Sequence, residues 1–301
     1  PLLFSLGIGA ILAIVLANWT AGFLSRRLQR LEAASRTFAG GDFSVRAPTD
    51  GSDDVSRLGS AFNDMADQLE ESRRRERDFL MSVGHDLRTP LTTLRGYAEA
   101  LDTGQIEEAE LARVSGVLRR QTDRLSRLID DLTLLARLEA REFTLRPEAV
   151  ELAAHLGELV DGHRVRAEHL HINLIDEIDE VGTVMIDPDR VGQIMGNLLT
   201  NALRYTPEGG KVTVGLSGTS DQVILTVADT GPGIDPEDLP RVFERLYVAQ
   251  RYRPVRPEGS GLGLTIVREL TAALGGEVTV ASSLGEGTVV TVQLPRAPGS
   301  S

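Results

Sequence analysis

The sequence predicts a multidomain chain: a membrane-spanning helix, a two-helix module, a dimeric four-helix bundle and a C-terminal α/β sandwich. Three observations carry this. Residues Pro1 to Ser25 hold no charge at all. Through the first half, apolar residues recur at three- and four-residue steps, the period of amphipathic helices. After about Arg141, alternating apolar runs, Gly-rich turns and prolines take over. A chain of 301 residues is long enough for two or three such units and a sizeable core.

Leu2 to Ala17 is almost wholly apolar, and a bilayer span needs about 20 residues. Arg26, Arg27 and Arg30 follow directly, so the positive-inside rule puts everything downstream in the cytoplasm. Trp19 suits the interface. A secretory signal would carry its positive charge before the apolar run. The chain opens on Pro1, not Met, so an earlier membrane helix and an external sensor segment are expected ahead of it. The absence of cysteine excludes disulfides and thiolate metal sites and suits a reducing cytosol. A net charge of −12 argues against a nucleic-acid-binding surface, which needs clustered Lys and Arg. Of 32 basic residues only Lys211 is lysine, as in proteins of GC-rich bacterial genomes.

Leu24, Leu28, Leu31, Ser35 and Phe38 step by four and three, as do Val55, Leu58, Phe62, Met65 and Leu69. Both are a/d seams. The stretch between them, Gly40 to Asp54, is too rich in turn formers and acidic residues for a third helix. Two short helices, a linker containing Gly41-Asp42-Phe43 and the start Asp54-Val55-Ser56-Arg57-Leu58 resemble a HAMP signal-relay module, although the Pro usual at the start of its first helix is absent. The second seam runs through Arg73 to Arg77 into a further helix. After the turn Asp102-Thr103-Gly104, Leu111, Val114, Leu118, Gln121, Leu125, Leu128, Leu132 and Leu135 repeat the heptad spacing. Such a hairpin has more apolar surface than it can bury alone, so a homodimeric four-helix bundle is expected.

On the first helix of the hairpin, Val83, Leu87, Leu91, Leu94, Ala98 and Leu101 mark one apolar stripe. His85 lies about 200° round from it and faces water; Thr89 returns to the same face one turn later. Pro90 cannot donate to the Asp86 carbonyl and is expected to bend the helix. Asp86 can orient the imidazole and take its proton, leaving a nitrogen lone pair free to attack phosphorus. The string His85-Asp86-Leu87-Arg88-Thr89-Pro90 resembles the phosphoacceptor box of sensor histidine kinases. The resemblance implies phosphorylation of His85, base assistance by Asp86 and a role for Thr89 in dephosphorylating the partner protein. Gly84 departs from the Ser common in the family and loosens the helix by roughly 1 kcal/mol against Ala.

Beyond Arg141, strands are expected near 143–145, 171–174, 184–186, 211–216, 223–228, 277–281 and 288–294, with helices near 152–163, 190–205 and 262–274. Strands grouped with helices imply an α/β sandwich with helices on one face. Asn197 and Asn201 are four apart on one helix face, with Arg204 one further turn along. Amide oxygens there can complete a Mg²⁺ shell of water and phosphate oxygen, and Arg204 can neutralise phosphate charge. Asp229 ends an apolar strand and can accept the amino group of adenine, while Gly231 and Gly233 let the chain turn closely round the base. Gly259, Gly261 and Gly263 then open a helix whose N-terminal amides attract phosphate. A Rossmann reading fails because no six-residue strand directly precedes that run and no acidic ribose partner is placed for it.

In order, NLLTNA, DTGPGI, FERLY (Phe243 to Tyr247), GSGLGL and GEGT (Gly285 to Thr288) resemble the box set of the GHKL, or Bergerat, ATP-binding fold. The resemblance implies Mg²⁺ at Asn201, Tyr205 near adenine, Asp229 on its amino group, Thr288 in the pocket and a lid from Phe243 to Glu258. The lid's Arg-Tyr-Arg-Pro-Val-Arg-Pro run is unusual, and no contact is assigned to its arginines.

The expected division is a transmembrane helix over 1–24, a HAMP relay module over 25–72, a dimerisation and phosphotransfer domain over 73–140, a catalytic ATP-binding domain over 141–296 and a tail over 297–301. Together these imply a homodimeric sensor histidine kinase in the cell membrane, with HAMP and kinase domains cytoplasmic. It would transfer phosphate from ATP to His85 and then to an Asp of a cognate response regulator, since the chain has no receiver domain of its own. The alternative is a GHKL ATPase using hydrolysis for conformational work. Those families place a water-activating Glu four residues before the Mg²⁺-binding Asn; here that position is Asn197, and an amide is not a base.

Overall fold

The computed structural model describes residues 2–51, 53–140, 142, 144–244, 247 and 261–296; the side chains of residues 2–13, 16, 17, 20 and 139 lie outside that set. Residues 1–83 and 84–301 form two compact units. Helix α1 (Leu2–Ala39) covers the segment expected to span a membrane, most of whose side chains are not among those described. Among the described residues no helix is long and apolar enough to cross a membrane.

In the first unit, α1 is joined to α2 (Asp54–Asp102) by a linker without regular structure. The linker is pinned by side chains. The Asn63 amide pairs with both backbone groups of Ala47, accepting at 2.7 Å and donating at 3.0 Å, as a neighbouring strand would. The Arg46 guanidinium meets Asp67 and Glu70 at 2.6 Å each. Arg27 of α1, itself buried, donates to Asp53 and Ser56 at 2.7 Å each and to the Asp50 carbonyl. Phe38 packs edge-on against Phe43 and Phe62, with centroids 5.0 and 5.4 Å away. Leu24, Leu28, Leu58 and Met65 of the seams stay exposed in the single chain.

The second unit takes up α2 from Gly84, followed by α3 (Leu111–Glu139), which opens from a 3-10 turn over Glu108–Glu110. Pro90 sits inside α2, which continues to Asp102. In the single chain Asp86 and Pro90 are buried and Val83, Leu87 and Leu94 of the apolar stripe half-buried, whereas Leu91, Ala98 and Leu101 are exposed. The face turned inward within one chain runs through Asp86, Pro90, Leu94 and Tyr97. Tyr97 on that face reaches Arg113 of α3, raising the guanidinium pKa together with Glu110, the larger influence.

The α/β part contains β1 (Glu148–Glu151), α4 (Leu152–His169), β2 (Asn173–Ile178), β3 (Thr183–Ile186), α5 (Pro188–Tyr205), β4 (Lys211–Gly218), β5 (Gln222–Asp229), α6 (Gly263–Ala273), β6 (Glu277–Ser283) and β7 (Gly287–Pro295). One sheet has the order β2-β4-β5-β7-β6, with β2 and β4 parallel and the remaining neighbours antiparallel. β1 and β3 form a separate antiparallel pair. Val212, Val214, Leu216, Val223, Leu225 and Val227 alternate along β4 and β5 and are fully buried on the face that meets the helices. α5, with Ile194, Leu198 and Leu203 buried, packs on β5, and α6, with Ile266 and Leu270 buried, packs on α5, β6 and β7.

Two expected strands shift. Thr144 and Leu145 are irregular, and the first strand lies at Glu148–Glu151. β2 starts at Asn173 because His171, after α4, takes a left-handed backbone with φ of 52°. Gly287, with φ of 107°, opens β7 so close to β5 that a Cβ there would run into the Asp229 carbonyl. Gly287→Ala should therefore destabilise this part by about 1–3 kcal/mol, read as a fall in Tm. Nothing lies within 4 Å of a Cβ built on Gly84. Gly84→Ala should stabilise α2 by up to about 1 kcal/mol, and a fall in Tm there would show that Gly84 serves the fold.

Candidate functional site

Two sites emerge from these elements. The first is on α2. The His85 side chain is 68% exposed, and that of Asp86 only 9%. Their closest approach, 3.5 Å, joins His85 Nδ1 to Asp86 Oδ1. The carboxylate thus faces one ring nitrogen and leaves Nε2 to solvent. The Thr89 hydroxyl donates to the His85 carbonyl at 3.1 Å, so its oxygen can only accept from outside the helix.

The second site lies between α5, the ends of β5 and β7, and α6. Asp187 caps α5 through a 3.2 Å bond from the Arg190 amide and accepts the Arg146 amide at 2.9 Å; Pro188 supplies the first turn. That start turns Val191, Met195 and Leu199 into the core and leaves Asn197, Asn201 and Arg204 on the other face. Asn197 and Asn201 meet the N-terminus of α6. A Cβ on Gly263 would sit 3.5 Å from Asn197 Oδ1 and 3.5 Å from Asn201 Nδ2.

Asn201, Tyr205, Asp229, Gly233 and Thr288 line a cavity of about 90 Å³ whose walls are otherwise mainly apolar, including Leu198, Val227, Ile234 and Val290. Such a slot suits a flat heteroaromatic ring with one polar edge. Asp229 provides the carboxyl group of that edge. Burial pushes its carboxyl pKa up, and the Gly231 and Thr288 amides oppose the shift, the former donating at 2.8 Å. A Cβ on Gly231 would lie 2.7 Å from Asp229 Oδ1, and one on Gly233, where φ is 71°, would strike the Ser283 carbonyl. Both glycines are required by close approach of the backbone.

Of the expected residues, Asn197 lies beside the cavity rather than in it, and the Arg204 guanidinium stacks 5.2 Å from the Tyr205 ring centroid. Gly261 has φ of 70° before α6. Gly259 and most of the expected lid, 248–258, lie outside the described residues. Three positions escaped sequence reasoning. Buried Asp238 accepts the Tyr247 hydroxyl at 2.8 Å, the main cause of that phenol's raised pKa, and the Arg241 guanidinium covers the Tyr247 ring at 3.7 Å. Thr265 of α6 donates to the Phe243 carbonyl at 3.1 Å. Ser282 bonds both loops beside the cavity. Each depends on tertiary pairing, which spacing along the chain does not reveal.

Among the described residues no group of three or more His, Cys, Asp or Glu could hold a metal unaided. The neutral amide of Asn201 fits a metal only as one donor among phosphate oxygens and water, as Mg²⁺ on a nucleotide would require.

Asp229 sets a testable trade between function and stability. Its folded-state pKa is raised, so the folded state binds that proton more tightly than the unfolded one. The group's contribution to stability therefore grows as pH falls through the raised value and is lost above it. Asp229→Asn should raise Tm at neutral pH while weakening adenine-nucleotide affinity by about tenfold or more. A melt with titration of nucleotide checks both, and unchanged affinity would remove Asp229 from the site.

Comparison with known proteins agrees with this geometry. Residues 19–71 match the HAMP domain, 75–141 the His Kinase A (phospho-acceptor) domain, and 186–298 the histidine kinase-, DNA gyrase B- and HSP90-like ATPase domain. Sensor histidine kinase WalK of Bacillus subtilis is 35% identical over 245 residues, 80% of this chain and 40% of WalK. Signal transduction histidine-protein kinase BaeS of Escherichia coli is 33% identical over 288 residues, 94% of this chain and 61% of BaeS. The chain thus spans about half the length of these relatives. The structure of full-length ShkA in complex with AMPPNP superposes with a TM-score of 0.56 at 30% identity, covering 75% of this chain and 47% of ShkA. With its three domains in this order and these relatives, the chain belongs to the sensor histidine kinases of bacterial two-component systems.

Proposed function

We propose that this chain is the signal-relay and kinase part of a membrane-anchored, homodimeric sensor histidine kinase, which phosphorylates His85 from ATP and passes the phosphoryl group to an Asp of a response regulator. The observation that carries the reading is an exposed imidazole backed by a buried carboxylate, on the same chain as a slot with one acceptor edge. His85 Nε2 attacks the γ-phosphorus of ATP; the bond from that phosphorus to the bridging oxygen breaks, and ADP leaves. Asp86 faces Nδ1, stabilises the positive charge that develops on the ring and takes its proton. Asp229 and Tyr205 hold the base, while Asn197, Asn201, Arg204 and the α6 amides with Gly261 and Gly263 face the phosphates. Mg²⁺ at Asn201 supplies charge shielding on the phosphates when bound. ShkA, which shares 30% identity, was crystallised with AMPPNP, which supports an adenine nucleotide as the ligand.

With Asn197 four residues before Asn201, no carboxylate there activates water, and this favours transfer to His85 over ATP hydrolysis for mechanical work. The uncharged run 1–25, followed by Arg26, Arg27 and Arg30, supports a membrane anchor with the kinase on the cytoplasmic side. Exposed Leu91, Leu101, Leu111 and Ile129 on the hairpin support a partner copy that covers them.

Labelled ATP tests the assignment. His85→Gln should abolish an acid-labile, alkali-stable label while leaving ATP binding intact, and retained label would sink it. Asp86→Asn should slow autophosphorylation by about a hundredfold or more. Thr89→Ala should keep autophosphorylation and transfer near normal but lose dephosphorylation of a matched regulator. If Thr89→Ala slows the kinase step as much as Asp86→Asn, the two roles are misassigned.

A further inference from the structure

Ser282, Thr288 and Asp229 form a row across three adjacent strands. In register, Ser282 of β6 stands opposite Thr288 of β7, and Thr288 stands opposite Asp229 of β5. Thr288 and Asp229 line the cavity; Ser282 stands behind them. The Ser282 oxygen has three partners. It accepts the Ile234 amide at 2.8 Å, contacts the Gly287 carbonyl at 2.7 Å and lies 2.9 Å from the Thr288 hydroxyl oxygen.

Counting protons fixes the direction of each bond. A serine hydroxyl has one proton, and a carbonyl can only accept. The Ser282 proton is therefore committed to Gly287. Between the two hydroxyls, Thr288 must then be the donor, and its single proton points away from the cavity toward Ser282. What Thr288 offers the cavity is lone pairs only. Beside it, the Asp229 side chain accepts the Gly231 amide at 2.8 Å, and as a carboxylate it too only accepts.

We propose that Ser282 sets the base preference of this cavity: by taking the Thr288 proton it makes the reading edge all-acceptor, which selects a purine with a 6-amino group over one with a 6-keto group. The inference rests on the nucleotide reading above and assigns Ser282 as a positioning residue acting through Thr288. With Asp229 and Thr288 both accepting at the 6-position, each hydrogen of an amino group finds a partner; a 6-keto purine offers only its N1–H, so one acceptor and the keto oxygen stay unpaired, the arrangement that gives a site its largest discrimination. Without Ser282, the Thr288 hydroxyl is free to rotate and donate to that oxygen.

Inosine triphosphate differs from ATP only at the 6-position and its neighbouring ring nitrogen, which makes it the probe. Calorimetric titration of the full chain with each, in the presence of Mg²⁺, gives the ratio of affinities. Ser282→Ala should lower the preference for ATP roughly tenfold. Near-isosteric Ser282→Cys, whose sulfur accepts weakly, should lower it in the same direction should the alanine variant fail to fold. In a Thr288→Val background, adding Ser282→Ala should leave the ratio unchanged, because the route through Thr288 is already gone.

An equal loss of affinity for both nucleotides, with the ratio preserved, would show Ser282 to be only a tether between loops and overturn the proposal. A change of ratio in the Thr288→Val background would overturn it too. Failure of the unaltered chain to bind either nucleotide would instead remove the nucleotide reading itself. Binding of ATP with an unmoved ratio leaves that reading standing and sinks only the role of Ser282.

Discussion

Much of the α/β part is arranged around one constraint: a carboxylate held in a largely apolar slot at the end of a central strand. Burial pushes the Asp229 carboxyl pKa up, and the backbone amides of Gly231 and Thr288 come close enough to oppose that rise. That closeness explains the glycines. Side chains at Gly231 and Gly287 would collide with Asp229 itself, and one at Gly233 with the neighbouring loop. The pattern DTGPG followed far along the chain by GEGT is thus the imprint of one steric condition. Ser282 extends the same logic to hydrogen-bond direction.

The His85 site meets an opposite demand with the same kind of device. A nucleophile for a large phosphate donor has to protrude, while the group that orients it gains strength away from water. Adjacent positions on a helix point about 100° apart, so His85 can project into solvent while Asp86 is turned inward. Asp86 is buried with its carboxylate 3.5 Å from His85 Nδ1, and in the proposed mechanism that position lets it orient the imidazole.

What the sequence makes legible follows from how local each signal is. β4, β5 and β7 alternate apolar and polar residues because one face meets helices, and their places were readable to within about two residues. β1 has no such signature; in Glu-Ala-Val-Glu only Val150 is half-buried, and the strand exists because β3 pairs with it. The start of β2 depends on one left-handed residue, His171, whose type gives little warning of it. On α2 the face buried within one chain includes an aspartate and a proline, Asp86 and Pro90, which apolar periodicity alone does not pick out. In the site, Asn201, Asp229 and Gly233 are legible from spacing and composition, Tyr205 and Thr288 only from the resemblance to the GHKL fold, and all five converge on one cavity. Ser282 was not, since its partner Thr288 becomes a neighbour only through the pairing of β6 with β7.

The chemistry of the slot's two ends bears on why phosphate would wait for an acceptor. At one end stands the Asp229 carboxyl, held by fixed amides, so that in the proposed reading binding of the base there costs little reorganisation. At the other end Asn197 and Asn201 present neutral amides to the start of α6. Neutral donors can orient phosphate oxygens without competing for them and without removing a proton from water. In the proposed kinase, a nucleotide gripped by its base and only cradled at its phosphates would keep its γ-phosphoryl group until a nucleophile arrives. In that reading the nucleophile is the imidazole of His85, exposed and 3.5 Å from the Asp86 carboxylate.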